Sequence, residues 1–214
     1  KAVIAGDWLF SKGFGLGGQY NEEIVRILAQ YCADIAVSEF DQLDHVLDLT
    51  TSPEDYLSIV RGKTAGPFAA GCHVAGMIAG LSKEQALPLR RFGMDFGIAF
   101  QLVDDLLDLR GDERMGKPRG ADVLEGKMTL PLIHALTLSH GEKRQRLAQI
   151  IENFTDDCFD ELMALLNHSD SLHYAEILVR THLERAIDEL ELFSESDAKD
   201  MMLSVADYVK RRNM

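Results

Sequence analysis

Proline is scarce. Only 5 occur in 214 residues, so little in the chain forbids a helix. Strand patterns are missing as well. No segment alternates polar and apolar residues convincingly, while periodic stretches rich in Ala, Leu, Glu and Lys recur. Together these absences exclude a sheet-based architecture and predict an all-α protein. Positive charge is also short: 22 Lys and Arg against 35 Asp and Glu leave a net charge of −13. So acidic a surface repels phosphate backbones, which excludes nucleic acid as a partner. It also excludes docking on anionic lipid through a basic face. A small anionic ligand is still allowed, because bound cations can reverse the local sign.

Cysteine is nearly absent too. Cys32, Cys72 and Cys158 lie far apart with no CxxC pair, which argues against zinc or a disulfide framework and for a reducing, cytoplasmic setting. Nor is there a long apolar run or a signal peptide. The longest uncharged stretch, Thr64 to Ser82, contains Pro67, His73 and four glycines. It suits a buried helix better than a membrane span, so no stable membrane insertion is expected.

What is present is ample core material. Apolar residues make up 46% of the chain, enough for one domain over residues 1–214. The chain begins at Lys1, and KAVIAGDWLF already reads as helix interior. An N-terminal portion is therefore expected to be missing. The first helical pattern runs from Val3 to Phe14 and meets GFGLGG (Gly13 to Gly18). No strand precedes these glycines, so they predict a helix break and not a phosphate-binding loop. Asn21 is placed to cap a second helix to about Val37. A third segment, Ser38 to Leu49, would turn Asp41, Asp44 and Asp48 to solvent.

Ser52-Pro53-Glu54 opens a further helix, which leads to Lys63-Thr64. Gly66 to Leu81 is rich in small residues, with Gly76 and Gly80 spaced for close helix packing. Ser82 with Gln85 reads as a capping box for a long helix reaching Leu109. Arg110 to Lys127 reads as an ordered loop. Pro131 to Leu138, Lys143 to Asn153, Asp156 to Leu166, Tyr174 to Leu192 and Ser196 to Arg212 read as the remaining helices.

The chemistry concentrates in FGMDFGIAFQLVDDLLDLRGD, Phe92 to Asp112. Gln101, Asp104, Asp105 and Asp108 fall at i, i+3, i+4 and i+7, one face of a helix. Gly93 and Gly97 continue that stripe without side chains and predict free space along it. The apolar flanks imply a largely buried helix, and like charges so placed need a cation. Hard oxygen donors without His or Cys suit Mg²⁺, which bridges to substrate phosphates. Lys63, Lys117 and Lys127 could complete a clamp for a diphosphate. A second DDxxD, Asp156, Asp157 and Asp160, sits at a helix start, where acids favour the dipole, and is set aside.

YLSIVRGKTA, FGIAFQLVDDLLDLRGD and GKPRGADVLEGKMTLPLIHAL, with AGDWLF near the start, resemble the trans-isoprenyl diphosphate synthases (polyprenyl synthetases) in order and spacing. The resemblance implies a bundle of long helices around a central cavity, in a homodimer. It implies a prenyltransferase that condenses isopentenyl diphosphate with an allylic diphosphate to make a longer all-trans polyprenyl diphosphate. Asp104, Asp105 and Asp108 would hold Mg²⁺ on the allylic diphosphate. Lys63, Lys117 and Lys127 would bind that diphosphate. Gln101 and the Thr64 carbonyl would face the developing allylic cation. The family's first aspartate-rich motif is not in these 214 residues and would precede Lys1.

A di-iron bundle would need Glu-x-x-His pairs and a metal phosphohydrolase an adjacent His-Asp, and neither occurs. The remaining alternative is a non-catalytic helical subunit of a heteromeric synthase. Small residues at Ala69, Ala70, Gly76 and Ala79 read as close helix packing, or else as room for a product longer than fifteen carbons.

Overall fold

The computed structural model describes residues 1–111 and 119–212. Every element among them is helical. In chain order they are α1 (Ala2–Gly17), α2 (Glu22–Asp44), α3 (Pro53–Val60), a π-helical segment (Arg61–Ala65), α4 (Gly66–Ile78), α5 (Leu87–Arg110), α6 (Ala121–Leu124), α7 (Leu130–Leu138), α8 (Gly141–Glu152), a 3₁₀ turn (Asp156–Cys158), α9 (Phe159–His168), α10 (Ser171–Leu190) and α11 (Asp197–Arg212).

The polar punctuation acts largely as its chemistry dictates. The Asn21 side chain accepts from the Ile24 amide at 2.9 Å and opens α2. Ser52 and Asp55 close a reciprocal capping box at α3. Ser82 and Gln85 make the same reciprocal bonds, but a turn follows and α5 starts only at Leu87, with Pro88 in its first turn.

Two expected boundaries are corrected. The helix ends within the glycine run, as expected, but late in it: α1 runs through Gly13, Phe14 and Gly15 to Gly17. Glycine weakens a helix by about 1 kcal/mol without forbidding it. Nor does a helix end at Val37, because α2 is continuous through Ser38. Ser38 is buried, and a Cβ on Gly62 would collide with its hydroxyl. It is small there so that the π segment can cross α2 closely.

The long helix α5 is the hub, packing most extensively against α10 and α4. Leu102, Leu106 and Leu109 are at most 1% exposed. On α10, Val179, Leu183, Ala186 and Leu190 form the facing buried stripe. Across the same contact the His182 ring lies 2.6 Å from the Asp95 carboxylate, a polar pin between two apolar faces.

Against α4 the helices nearly touch. A Cβ on Gly93 would lie 2.5 Å from the Phe68 carbonyl oxygen, and one on Gly97 would lie 2.5 Å from the Ala65 Cα. The expected free space beside these glycines is therefore filled by α4 and the end of the π segment that leads into it. Phe68 meets Phe96 edge-on at 5.3 Å and anchors the contact. Gly76 serves the same packing role beside Ala86 and Leu89, whereas Gly80 adopts φ +101 just beyond the end of α4.

Candidate active site

The π segment and α5 meet at a cavity of about 220 Å³. α5 lines it with Gln101, Asp104 and Asp105, and α3 with Tyr56. The π segment brings Lys63 and Thr64, α2 brings Gln42, and α6 with the turn after it brings Asp122, Lys127 and Thr129. A π segment widens the helical turn locally, which is how Lys63 and Thr64 share one rim although adjacent.

The four residues predicted to share a face are placed unequally. Asp105 is 4% exposed. Its Oδ2 accepts from the Tyr56 hydroxyl at 2.6 Å and its Oδ1 from the Gln101 amide at 2.8 Å. Burial pushes its pKa up to about 7, and the two hydrogen bonds only partly oppose that. Burial, reinforced by the Asp105 charge, likewise raises the Tyr56 phenol well above its ordinary value, so it remains a donor. Asp104 also lines the cavity and is half-buried.

Asp108 lies one turn on and is not among the lining residues. Its carboxylate accepts from the amides of Ala121 and Asp122, each at 3.1 Å, and its carbonyl accepts from the Gly120 amide at 2.9 Å. It therefore fastens the end of α5 to the start of α6. Burial and the nearby Asp122 raise its pKa.

Gln101 and Thr64 form a chain: the Thr64 hydroxyl donates to the Gln101 side-chain carbonyl at 2.8 Å, and the Gln101 amide donates to Asp105. Lys63 and Lys127 both reach the cavity, and both already have partners. The Lys63 ammonium lies 2.9 Å from Glu39 and 2.6 Å from the Gln42 carbonyl. That of Lys127 lies 2.8 Å from Asp122 and 2.7 Å from Glu125. Burial alone would lower the Lys127 pKa, but these two hydrogen bonds outweigh it and raise the value. Lys117 lies outside the described residues.

The second DDxxD stands apart from the cavity. Asp156 and Asp160 pair with Arg119 at 3.2 and 3.6 Å. Sequence reasoning missed Tyr56, Asp122 and Thr129. Tyr56 was detectable, since it lies seven residues before Lys63 on the same helical run. Asp122 and Thr129 offered no periodic signal. The Thr129 hydroxyl is buried without a partner although Thr129 occupies the N-cap position of α7.

Among the described residues no group of three His, Cys, Asp or Glu side chains is placed to hold a metal ion. The donor chemistry fits Mg²⁺ in a narrower form. Asp104 and Asp105 supply hard oxygens, and Asp105 is a buried acid whose side-chain hydrogen-bond partners, Tyr56 and Gln101, are both neutral. Mg²⁺ is commonly held by one or two carboxylates, with water and phosphate oxygens filling the other positions. Asp108 fits less well, because it does not line the cavity.

A bundle of long helices with carboxylates and lysines around one interior cavity defines an isoprenoid-synthase type of fold. A solved structure of a decaprenyl diphosphate synthase from Rhodobacter capsulatus superposes with a TM-score of 0.92 at 34% identity, covering 99% of this chain and 66% of that one. The Polyprenyl synthetase family model matches residues 1–168, and the chain belongs to that family. An octaprenyl diphosphate synthase of Haemophilus influenzae is 33% identical over 96% of this chain and 63% of its own length. A short chain isoprenyl diphosphate synthase of Methanothermobacter thermautotrophicus is 30% identical over 99% of this chain and 67% of its own. The chain thus spans less than two thirds of the Haemophilus relative.

Proposed function

We propose that this chain forms the larger part of a Mg²⁺-dependent prenyltransferase, which joins isopentenyl diphosphate to an allylic diphosphate and releases a longer all-trans polyprenyl diphosphate. The observation that carries this reading is the convergence of Asp104, Asp105, Lys63 and Lys127 on one cavity. Membership of a family with relatives named for octaprenyl and short-chain products supports it.

In this reading Asp104 and Asp105 would hold Mg²⁺, which would supply positive charge to offset that of the departing diphosphate. Lys63 and Lys127 exchange their present acid partners for diphosphate oxygens, and Lys117 joins them. As the allylic C–O bond breaks, the Gln101 and Thr64 carbonyl oxygens face the carbon that becomes cationic. The isopentenyl double bond attacks that carbon, and a proton then leaves to the diphosphate. Apolar walls such as Ile59 and Val60 keep water from competing.

We infer a homodimer from the exposed apolar side chains on α1 and α2, and a cytoplasmic location suited to three free thiols. The product is proposed to exceed fifteen carbons.

Incubating the full-length protein with radiolabelled isopentenyl diphosphate and an allylic primer, then sizing the alcohols by chromatography, tests the reaction. Labelled polyprenyl alcohol is expected. Product stopping at fifteen carbons would correct the length alone. No product with any primer would favour a non-catalytic subunit.

A further inference from the structure

We propose that Tyr56 is a positioning residue that holds the Asp105 carboxylate in its metal-binding orientation. The proposal rests on the reading of this cavity as a metal–diphosphate site. Three observations carry it.

First, the hydroxyl is not needed for packing. The Tyr56 ring is buried in the core cluster, where a phenylalanine ring would occupy nearly the same volume. A buried hydroxyl is costly unless it is hydrogen-bonded, and the partner here is a cavity acid 49 positions away, at 2.6 Å. Second, the two Asp105 oxygens are held separately. Tyr56 on α3 takes Oδ2 and Gln101 on α5 takes Oδ1. A carboxylate gripped at both oxygens by donors on different elements cannot rotate freely, and each oxygen keeps a lone pair for another ligand. Third, the grip is itself anchored. The capping box of Ser52 and Asp55 fixes the first turn of α3, where the Tyr56 amide donates to the Ser52 carbonyl at 3.1 Å.

Donors behind a ligating carboxylate typically change metal affinity by about 10- to 100-fold. Mn²⁺ binding to the chain, read as free Mn²⁺ by electron paramagnetic resonance in the presence of inorganic diphosphate, tests the idea without catalysis. Tyr56→Phe is expected to weaken Mn²⁺ binding by about 10- to 100-fold. Asp105→Asn is expected to weaken it at least as much. The double variant should stay within about twofold of Asp105→Asn, because the hydroxyl acts through that carboxylate. A merely structural tyrosine would instead give losses that multiply. Tyr56→Phe within about twofold of wild type, or fully multiplicative losses, would overturn the proposal. If Tyr56→Phe fails to fold, Tyr56→Met removes the hydroxyl while keeping an adaptable apolar side chain. If wild type binds no Mn²⁺ with diphosphate, the metal–diphosphate reading falls and the role of Tyr56 with it. If Asp105→Asn alone loses binding, only the Tyr56 proposal falls.

Discussion

Asp105 differs from its neighbour Asp104 by one position in sequence and by its entire environment. A step of about 100° around the helix carries it from the cavity rim into the wall. The resulting burial raises its pKa from the ordinary carboxylate range to about 7, and the sign of the linkage follows. The folded state holds the proton more tightly than the unfolded state does. The stability this confers is complete below about pH 4 and is lost as pH rises through about 7. The melting temperature of the metal-free chain is therefore expected to fall between pH 5 and pH 8 more than that of Asp105→Asn. Calorimetric scans at the two pH values check this, and equal slopes would contradict it. Added Mg²⁺ with diphosphate should recover more stability at pH 8 than at pH 5. Catalysis makes a separate demand on the same pair. In the full-length protein, Asp104→Ala or Asp105→Ala is expected to lower turnover by about 10²-fold or more with circular dichroism unchanged. Near-normal rates in both variants would remove the metal role.

The elements meet where side chains are smallest. Gly93→Ala would drive a methyl into the Phe68 backbone, and a helix axis cannot yield as a flexible side chain can. Overpacking of this kind costs about 1–3 kcal/mol, so urea denaturation should show a lower midpoint with an unchanged slope. An unchanged midpoint would mean that α4 slides freely on α5. Much of this element structure was legible in the sequence. The aspartate helix announced itself because its polar residues repeat at helical spacing inside an apolar run, and the caps at Asn21 and Ser52 follow from side-chain chemistry alone. What was illegible depended on distant partners. Gly93 and Gly97 look like vacant space until α4 and the π segment before it are laid against them. Ser38 looks like a helix start until Gly62 is seen to need a small neighbour. Asp108 matches Asp104 and Asp105 in type and register, and only the fold reveals that the α6 amides claim it.

At the scale of the molecule, the large apolar side chains of α1 and α2 stand out. Phe40 is 71% exposed and Leu43 66%, and Trp8 and Leu9 on α1 are exposed as well. Surfaces of this character mark association sites. Light scattering on the full-length protein is expected to give a dimer mass, and Phe40→Asp with Leu43→Asp is expected to give a monomer. A monomeric wild type would dismiss the homodimer. The same molecule is strongly acidic, and its two described cavity lysines already lie against internal acids. This pairing bears on residence time. An incoming diphosphate must displace Glu39 and Asp122, and those displaced acids remain close by, competing to reclaim the lysines. On the proposed function the protein would thus carry its own competitor for product, which would shorten the stay of a highly charged leaving molecule. Glu39→Gln should retain product longer, lowering KM and kcat together, and a pre-steady-state burst in that variant would reveal the delayed release.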